Sequence, residues 1–256
     1  VSVSLTPKEA GEWEEVTLTG LPGGKWLWFC VRAVDDGGNW SGVSNATKSY
    51  VRREPRVWAI RVDGSGDAPG VQAGIDSAGA GDTVLVYPGW YYENIDYLGK
   101  DLVVRSAEGP EGTILDGSTR DSSVVVIRRG ETRAAVLEGF TITGGIGTWN
   151  GDDNDGAGVY CVNSSPVIKG NRIIGNHCTL GGLGGGICAG ARRQDGDPLA
   201  ARIEGNLIEG NSAGRNGGGI ACFNGEHEIV GNTFRGNTCA ADGGGIWVWM
   251  TSGRVL

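Results

Sequence analysis

One phrase returns four times between Leu137 and Trp249, and it constrains the fold more than any other feature of the chain. Its clearest copy is Ile168-Lys169-Gly170-Asn171-Arg172-Ile173-Ile174-Gly175-Asn176; the others are Leu137–Gly145, Ile203–Asn211 and Ile229–Asn237. Each is answered by a second phrase, first Gly156-Ala157-Gly158-Val159 and then a triple glycine ahead of Ile187, Ile220 and Ile246. The glycines that open successive copies, Gly139, Gly170, Gly205 and Gly231, lie 31, 35 and 26 residues apart. A fixed unit carrying loops of variable length is the pattern of a solenoid.

The apolar runs are too short for helical periodicity, which needs matches at i, i+3, i+4 and i+7 over ten or more positions. They read as strands. A strand of this unit can pair only with its equivalent in the next coil, in parallel, which stacks like positions about 4.8 Å apart. Gly and Asn take the corners because both tolerate positive φ. Asn171, Asn206 and Asn232 then form one column and Asn176, Asn211 and Asn237 another, and side-chain amides so stacked can bond along the column.

The repeats follow an opening made of Asp63–Asp67, Val71–Ala78, Gly81–Val86 and Pro88–Ile95. Together, residues 57–249 resemble the right-handed parallel β-helix of the pectin-lyase-like superfamily, in particular secreted bacterial right-handed parallel β-helix repeat proteins. The resemblance implies the right hand and an extracellular or cell-surface location, and is nearly silent on chemistry. The expected fold class is all-β: a right-handed parallel β-helix with a short capping helix, which the spacing of Val71, Ile75 and Ala78 predicts, since a solenoid end needs a cover.

Residues 1–51 are written differently, with Trp-rich, longer alternating runs. Trp28–Asp36, Gly38–Ser41 and Ser44-Asn45 resemble the last strands of a fibronectin type III domain, with Phe29, Val31 and Ala33 facing a core and Cys30 and Arg32 facing out. Trp26, Trp28 and Trp40 are expected in that core. The domains are thus a partial module at 1–51, a charged linker at 52–56 and the β-helix at 57–256, with further domains expected at both ends.

A net charge of -8 argues against a nucleic-acid or anionic-membrane partner, both of which need a basic face. No apolar run approaches the roughly 18 residues of a membrane span. Six cysteines leave disulfides and free thiols both open. Register favours thiols, because it sets Cys161, Ala189, Cys222 and Val248 in one inward column.

Gly89-Trp90-Tyr91-Tyr92-Glu93 matches the structural G-x-Y-x-E element of pectin methylesterases. The catalytic glutamines of those enzymes have no counterpart in context, since the chain has only Gln72 and Gln194, and the signatures of polygalacturonases and the best-known pectate lyases are missing. A typical pectinase is not expected. Stacking still offers sites, because carboxylates at equivalent corners of adjacent coils lie about 5 Å apart, near the separation used by retaining glycosidases.

One corner carries Trp149, Asp152, Asp153 and Asp155, then Arg215. Its carboxylate-rich loop is a candidate Ca²⁺ site, since that ion takes six to eight oxygens. The other carries Arg192, Arg193, Asp195 and Asp197, then Glu226 and His227. There a lyase would use Arg192 or His227 as base with Arg193 or Ca²⁺ against the uronate, and a hydrolase would use Asp195 or Asp197 with Glu226. Trp247 and Trp249 alternate with Val248 and so project outward, as a sugar-stacking platform or as the interface with a following coil, with Trp149, Arg193 and Arg215 as further substrate contacts. Three readings remain open: a binder of extended glycans needing no cofactor, a polysaccharide lyase or glycoside hydrolase, and a structural stalk or adhesin.

Overall fold

The computed structural model of the protein describes residues 16–35, 37–51, 53–192, 199–249 and 253–256. The chain divides into two compact units, Val1–Glu54 and Pro55–Leu256. In the first, Lys25–Phe29 pairs antiparallel with Thr47–Val51. The expected core is not found among its described residues: Val31 is 71% exposed, and Trp26, Trp28 and Trp40 lie at the surface. A two-stranded ribbon cannot cover its own faces. Cations face the indoles instead, with Lys48 Nζ 5.0 Å from the Trp26 ring centroid and Arg32 5.2 Å from that of Trp40.

The second unit winds through three long parallel sheets and a short fourth one of three strands, His177–Leu180, Ser212–Gly214 and Thr238–Cys239. The first has eight strands, from Val57–Ile60 to Arg254–Val255; the second has six, from Gly89–Tyr91 to Thr233–Arg235; the third has six, from Ile95–Asp96 to Ile246–Trp249. Each strand pairs with the equivalent strand of the coils before and after it, as Leu137 with Ile168 and Ile168 with Ile203. Crossovers between parallel strands of one sheet turn right-handed. The unit is a right-handed parallel β-helix, and its core is the stack of inward residues Leu137, Ile168, Ile203 and Ile229 with Ile142, Ile173 and Ile208.

The asparagine columns hold this register. Asn206 sits between Asn171 and Asn232: its Oδ1 accepts from Asn171 N at 2.9 Å and Nδ2 at 3.1 Å, and its own Nδ2 donates to Asn232 Oδ1 at 2.9 Å and Ile168 O at 3.0 Å. The glycine phrase has a different reason. Gly185 N donates to Gly217 O and Gly218 N to Gly243 O, each at 3.1 Å, so successive coils press backbone on backbone with no room for side chains.

The helix Val71–Ser77 closes the first coil, burying Val71, Gly74 and Ile75. It is held at both ends from the coil below. Glu93 accepts from the amides of Val71 and Gln72, each at 2.9 Å, and Lys100 Nζ donates to the carbonyls of Ile75, Asp76 and Ala78 at 2.7 to 2.9 Å. This pairs a carboxylate with the positive end of the helix and an ammonium with the negative end. Tyr91 is buried, with its hydroxyl donating to Tyr87 O at 2.8 Å. The Gly89–Glu93 element is therefore a cap-and-corner device.

All six cysteines are free thiols. Cys161 pairs in register with Ala189, and Ala189 with Cys222, inside the core as the inward column requires. Burial pushes the Cys222 thiol up to about 12, which keeps it protonated and inert. Among the described residues no helix is long and apolar enough to cross a membrane.

Candidate functional site

Both faces of the third sheet are buried along its middle strands, and this sets it apart. In the repeats of the other two long sheets a three-residue strand typically buries only its middle residue, as in Val167–Lys169 and Leu207–Glu209. Outward positions there carry charge: Lys169 pairs with Glu138 at 3.3 Å and Arg202 with Glu204 at 2.6 Å. Strands Val159–Val162, Ile187–Gly190 and Ile220–Phe223 are instead buried at every position. Register stacks outward Tyr160 on Cys188, Ala221 and Trp247, and Val162 on Gly190, Phe223 and Trp249. Gly190 makes room for its neighbour, since a Cβ there would lie 2.6 Å from the Phe223 ring.

An ion pair spans this face. Asp155 closes the hairpin that precedes strand Val159–Val162 and is 1% exposed. Its carboxylate accepts from Leu183 N at 2.8 Å, Asn150 Nδ2 at 2.7 Å and Arg192 Nη2. Arg192 follows strand Ile187–Gly190 at the opposite end, where its backbone N donates to Asn163 Oδ1 at 3.0 Å. From there its guanidinium lies 5.8 Å from the Phe223 ring centroid and reaches back to Asp155. The two corners that looked like separate sites flank one short strand, and this pair joins them.

Burial pushes the Asp155 carboxyl above its ordinary value although the Leu183 amide and Arg192 pull it down. Burial also opposes the charge of Arg192, but Asp155 outweighs it and raises the guanidinium above its ordinary value. Asp155 thus favours the charged form of Arg192, which works against its use as a base. The Tyr160 hydroxyl nearby is pushed up to about 12 by burial, so it keeps its proton.

Beside the pair opens a groove of ≈ 340 Å³, lined by Leu183, Ala191, Arg192, Phe223, Asn224, Trp247 and Trp249. Trp247 and Trp249 stack at one side, ring centroids 6.1 Å apart and planes 12° from parallel, and Trp249 is 56% exposed. Asn224 is fixed by donating from Nδ2 to Ala191 O at 3.0 Å. The groove offers a flat aromatic wall, a guanidinium and an amide in one concave place, the mixture that holds a ligand with apolar faces and hydroxyl edges.

The predicted site residues divide as follows. Trp247, Trp249 and Arg192 meet in the groove; Trp149, though 62% exposed, and Arg215 do not line it. Arg193, Asp195 and Asp197 lie outside the described residues. Glu226 is exposed on its turn, with its backbone N donating to Leu199 O at 2.7 Å. In the loop expected to hold Ca²⁺, Asp155 is paired with Arg192 and Asp152 is exposed at the hairpin tip, and no three His, Cys, Asp or Glu side chains converge among the described residues. Phe223, Asn224 and Leu183 were missed. For Phe223 a signal was present, because Ile220-Ala221-Cys222-Phe223 is unbroken by a polar residue, as befits a strand covered on both faces.

His227 is corrected. It is 2% exposed, its Nδ1 accepts from Ala201 N at 3.3 Å and its Nε2 faces Phe223 O at 3.4 Å, which assigns the neutral tautomer with the proton on Nε2. It is a buried strut of the turn. Burial holds its pKa below the ordinary 6.5, so the folded protein resists a proton that the unfolded chain accepts. Its contribution to stability is full above that value and is lost as pH falls towards the depressed folded pKa. We expect the melting temperature of the wild type to drop across this window by more than that of His227→Gln in scanning calorimetry. Parallel curves would contradict the buried neutral imidazole.

No protein-family model matches the chain, and no curated relative does. Among solved structures it is similar to a pectin methylesterase from carrot, at 16% identity and a TM-score of 0.41, over 76% of this chain and 70% of that one. No residue role is carried across from it.

Proposed function

We propose that this protein binds an extended glycan outside the cell or at its surface, in the groove beside Trp247 and Trp249, where the outer face of the third sheet reaches solvent. The observation that supports this reading is the stacked indole pair at the edge of a concave, partly polar groove. Sugars present flat C–H faces and hydroxyl edges, and such an arrangement serves both. The volume falls in the range of about 300 to 1,000 Å³ usual for small-ligand sites. Binding is the reading that the described lining supports, with two indoles, an amide and a guanidinium already paired with Asp155, while His227 is buried away from it. A bare stalk would give its outward positions to solvent, as the first two sheets do.

Calorimetric titration against a panel of neutral and acidic oligosaccharides, with and without Ca²⁺, tests the proposal. Wild type should bind at least one of them, and Trp249→Ala should weaken that binding about tenfold or more, the equivalent of about 1.4 kcal/mol. An unaffected Trp249→Ala variant would move the site elsewhere. Release of unsaturated uronate or of reducing ends from the bound sugar would make the protein an enzyme instead.

A further inference from the structure

We infer that the groove selects uncharged sugars, because Asp155 neutralises Arg192, the cation of the groove's described lining, and leaves stacking on Trp247 and Trp249 to decide what is held. The inference rests on the glycan reading above and narrows it to a substrate class. An arginine in a sugar site ordinarily reads a carboxylate, through bidentate donation to uronate oxygens. Here that role is already filled from within. Asp155 is 1% exposed and is fixed by Leu183 N at 2.8 Å and Asn150 Nδ2 at 2.7 Å, so it cannot swing away to make room for a ligand's carboxylate.

A uronate entering the groove would therefore meet a guanidinium whose charge is cancelled at contact distance. The attraction of Arg192 and the repulsion of Asp155 reach the ligand from nearly the same place, and what remains is a dipole of the pair. The protein as a whole carries -8, which opposes an acidic chain at longer range. A neutral glycan loses nothing by this. Its hydroxyls can still accept from guanidinium N–H groups turned to the groove, where the Arg192 side chain is 36% exposed. The Asn224 amide stands in the same lining.

The charge is held in place by the fold. Asp155 belongs to the hairpin before one strand and Arg192 to the end of the strand in the next coil, 37 residues on. The pair also lies across Tyr160 and Cys188, both buried, so opening it would expose that face. Asp155 thus acts as a positioning residue for specificity and touches no ligand.

The test compares neutral oligosaccharides with uronate oligosaccharides of the same linkage by calorimetry on the wild type, at low and physiological salt. Neutral sugar should bind at least about tenfold more tightly than its uronate counterpart, and its affinity should be insensitive to salt, since no net charge is neutralised. In Asp155→Asn, with folding checked by circular dichroism and melting, the ratio of uronate to neutral affinity should rise about tenfold or more and become salt-dependent. Tighter uronate binding by the wild type, or an unchanged ratio in Asp155→Asn, overturns the inference while leaving a glycan site. Absence of binding to either sugar class overturns the glycan reading itself. If Asp155→Asn does not fold, the wild-type ratio and its salt dependence decide alone.

Discussion

Replacing Asn211 by Ala should remove about 4 kcal/mol of stability, seen as a large drop in unfolding midpoint in urea. Asn211 is fully buried, and its amide serves two coils at once. Oδ1 accepts from Asn176 N and Nδ2, each at 3.0 Å, while Nδ2 donates to Ile173 O at 2.8 Å and Asn237 Oδ1 at 3.0 Å. Alanine leaves a backbone donor and a backbone acceptor stranded in the wall of the solenoid, and each buried unsatisfied group costs about 1 to 3 kcal/mol. A half-exposed end of the same column makes an internal control. Asn237 makes equivalent bonds but is reached by water, so Asn237→Ala should cost about 1 kcal/mol, the net worth of an ordinary hydrogen bond. Equal losses at the two positions would show that the column is not what holds the coils in register.

The second large effect is expected at Gly186. A Cβ there would lie 2.6 Å from Gly219 O of the next coil, 3.1 Å from Ile208 Cγ2 and 3.2 Å from Asn211 Nδ2. The first of these is ladder backbone and cannot step aside without parting two coils. Gly186→Ala should therefore cost about 3 kcal/mol or more, the upper end of overpacking penalties. Gly210 separates this cause from backbone conformation. It has φ +62 and no atom within 4 Å of an added Cβ, so Gly210→Ala pays only the left-handed penalty of about 1 to 2 kcal/mol. If the order of the two variants were reversed, close approach would not be the reason for the triple glycine.

These two cases show why the fold was legible before any coordinates. In a parallel solenoid the period of the sequence is the stacking of the structure, so residues that match in the string must lie over one another. Asn206 between Asn171 and Asn232, and Cys161 over Ala189 over Cys222, follow from that identity alone. The capping helix was legible for a local reason, the apolar spacing of Val71 and Ile75 on one face. The candidate site was legible only in part. Trp247 and Trp249 were placed outward correctly because strand alternation fixes a side, but His227 was misread because nothing in its turn announced that the ring tucks under the strand.

What the sequence determined by itself, then, is everything that repeats: the strands, their parallel register, the amide columns and the inward core. Only the tertiary structure decided what the excursions from the repeat do. The hairpin ending at Asp155 precedes one strand and Arg192 follows the strand of the next coil at its opposite end, and no periodicity dictates that the two side chains meet. The Asp155 hairpin and the Arg192 side chain lie over the third sheet because its outward residues, Tyr160, Val162, Cys188 and Phe223, are apolar and have to be covered. That covering brings a carboxylate to an arginine, leaves the indoles of Trp247 and Trp249 at the rim, and so makes the groove.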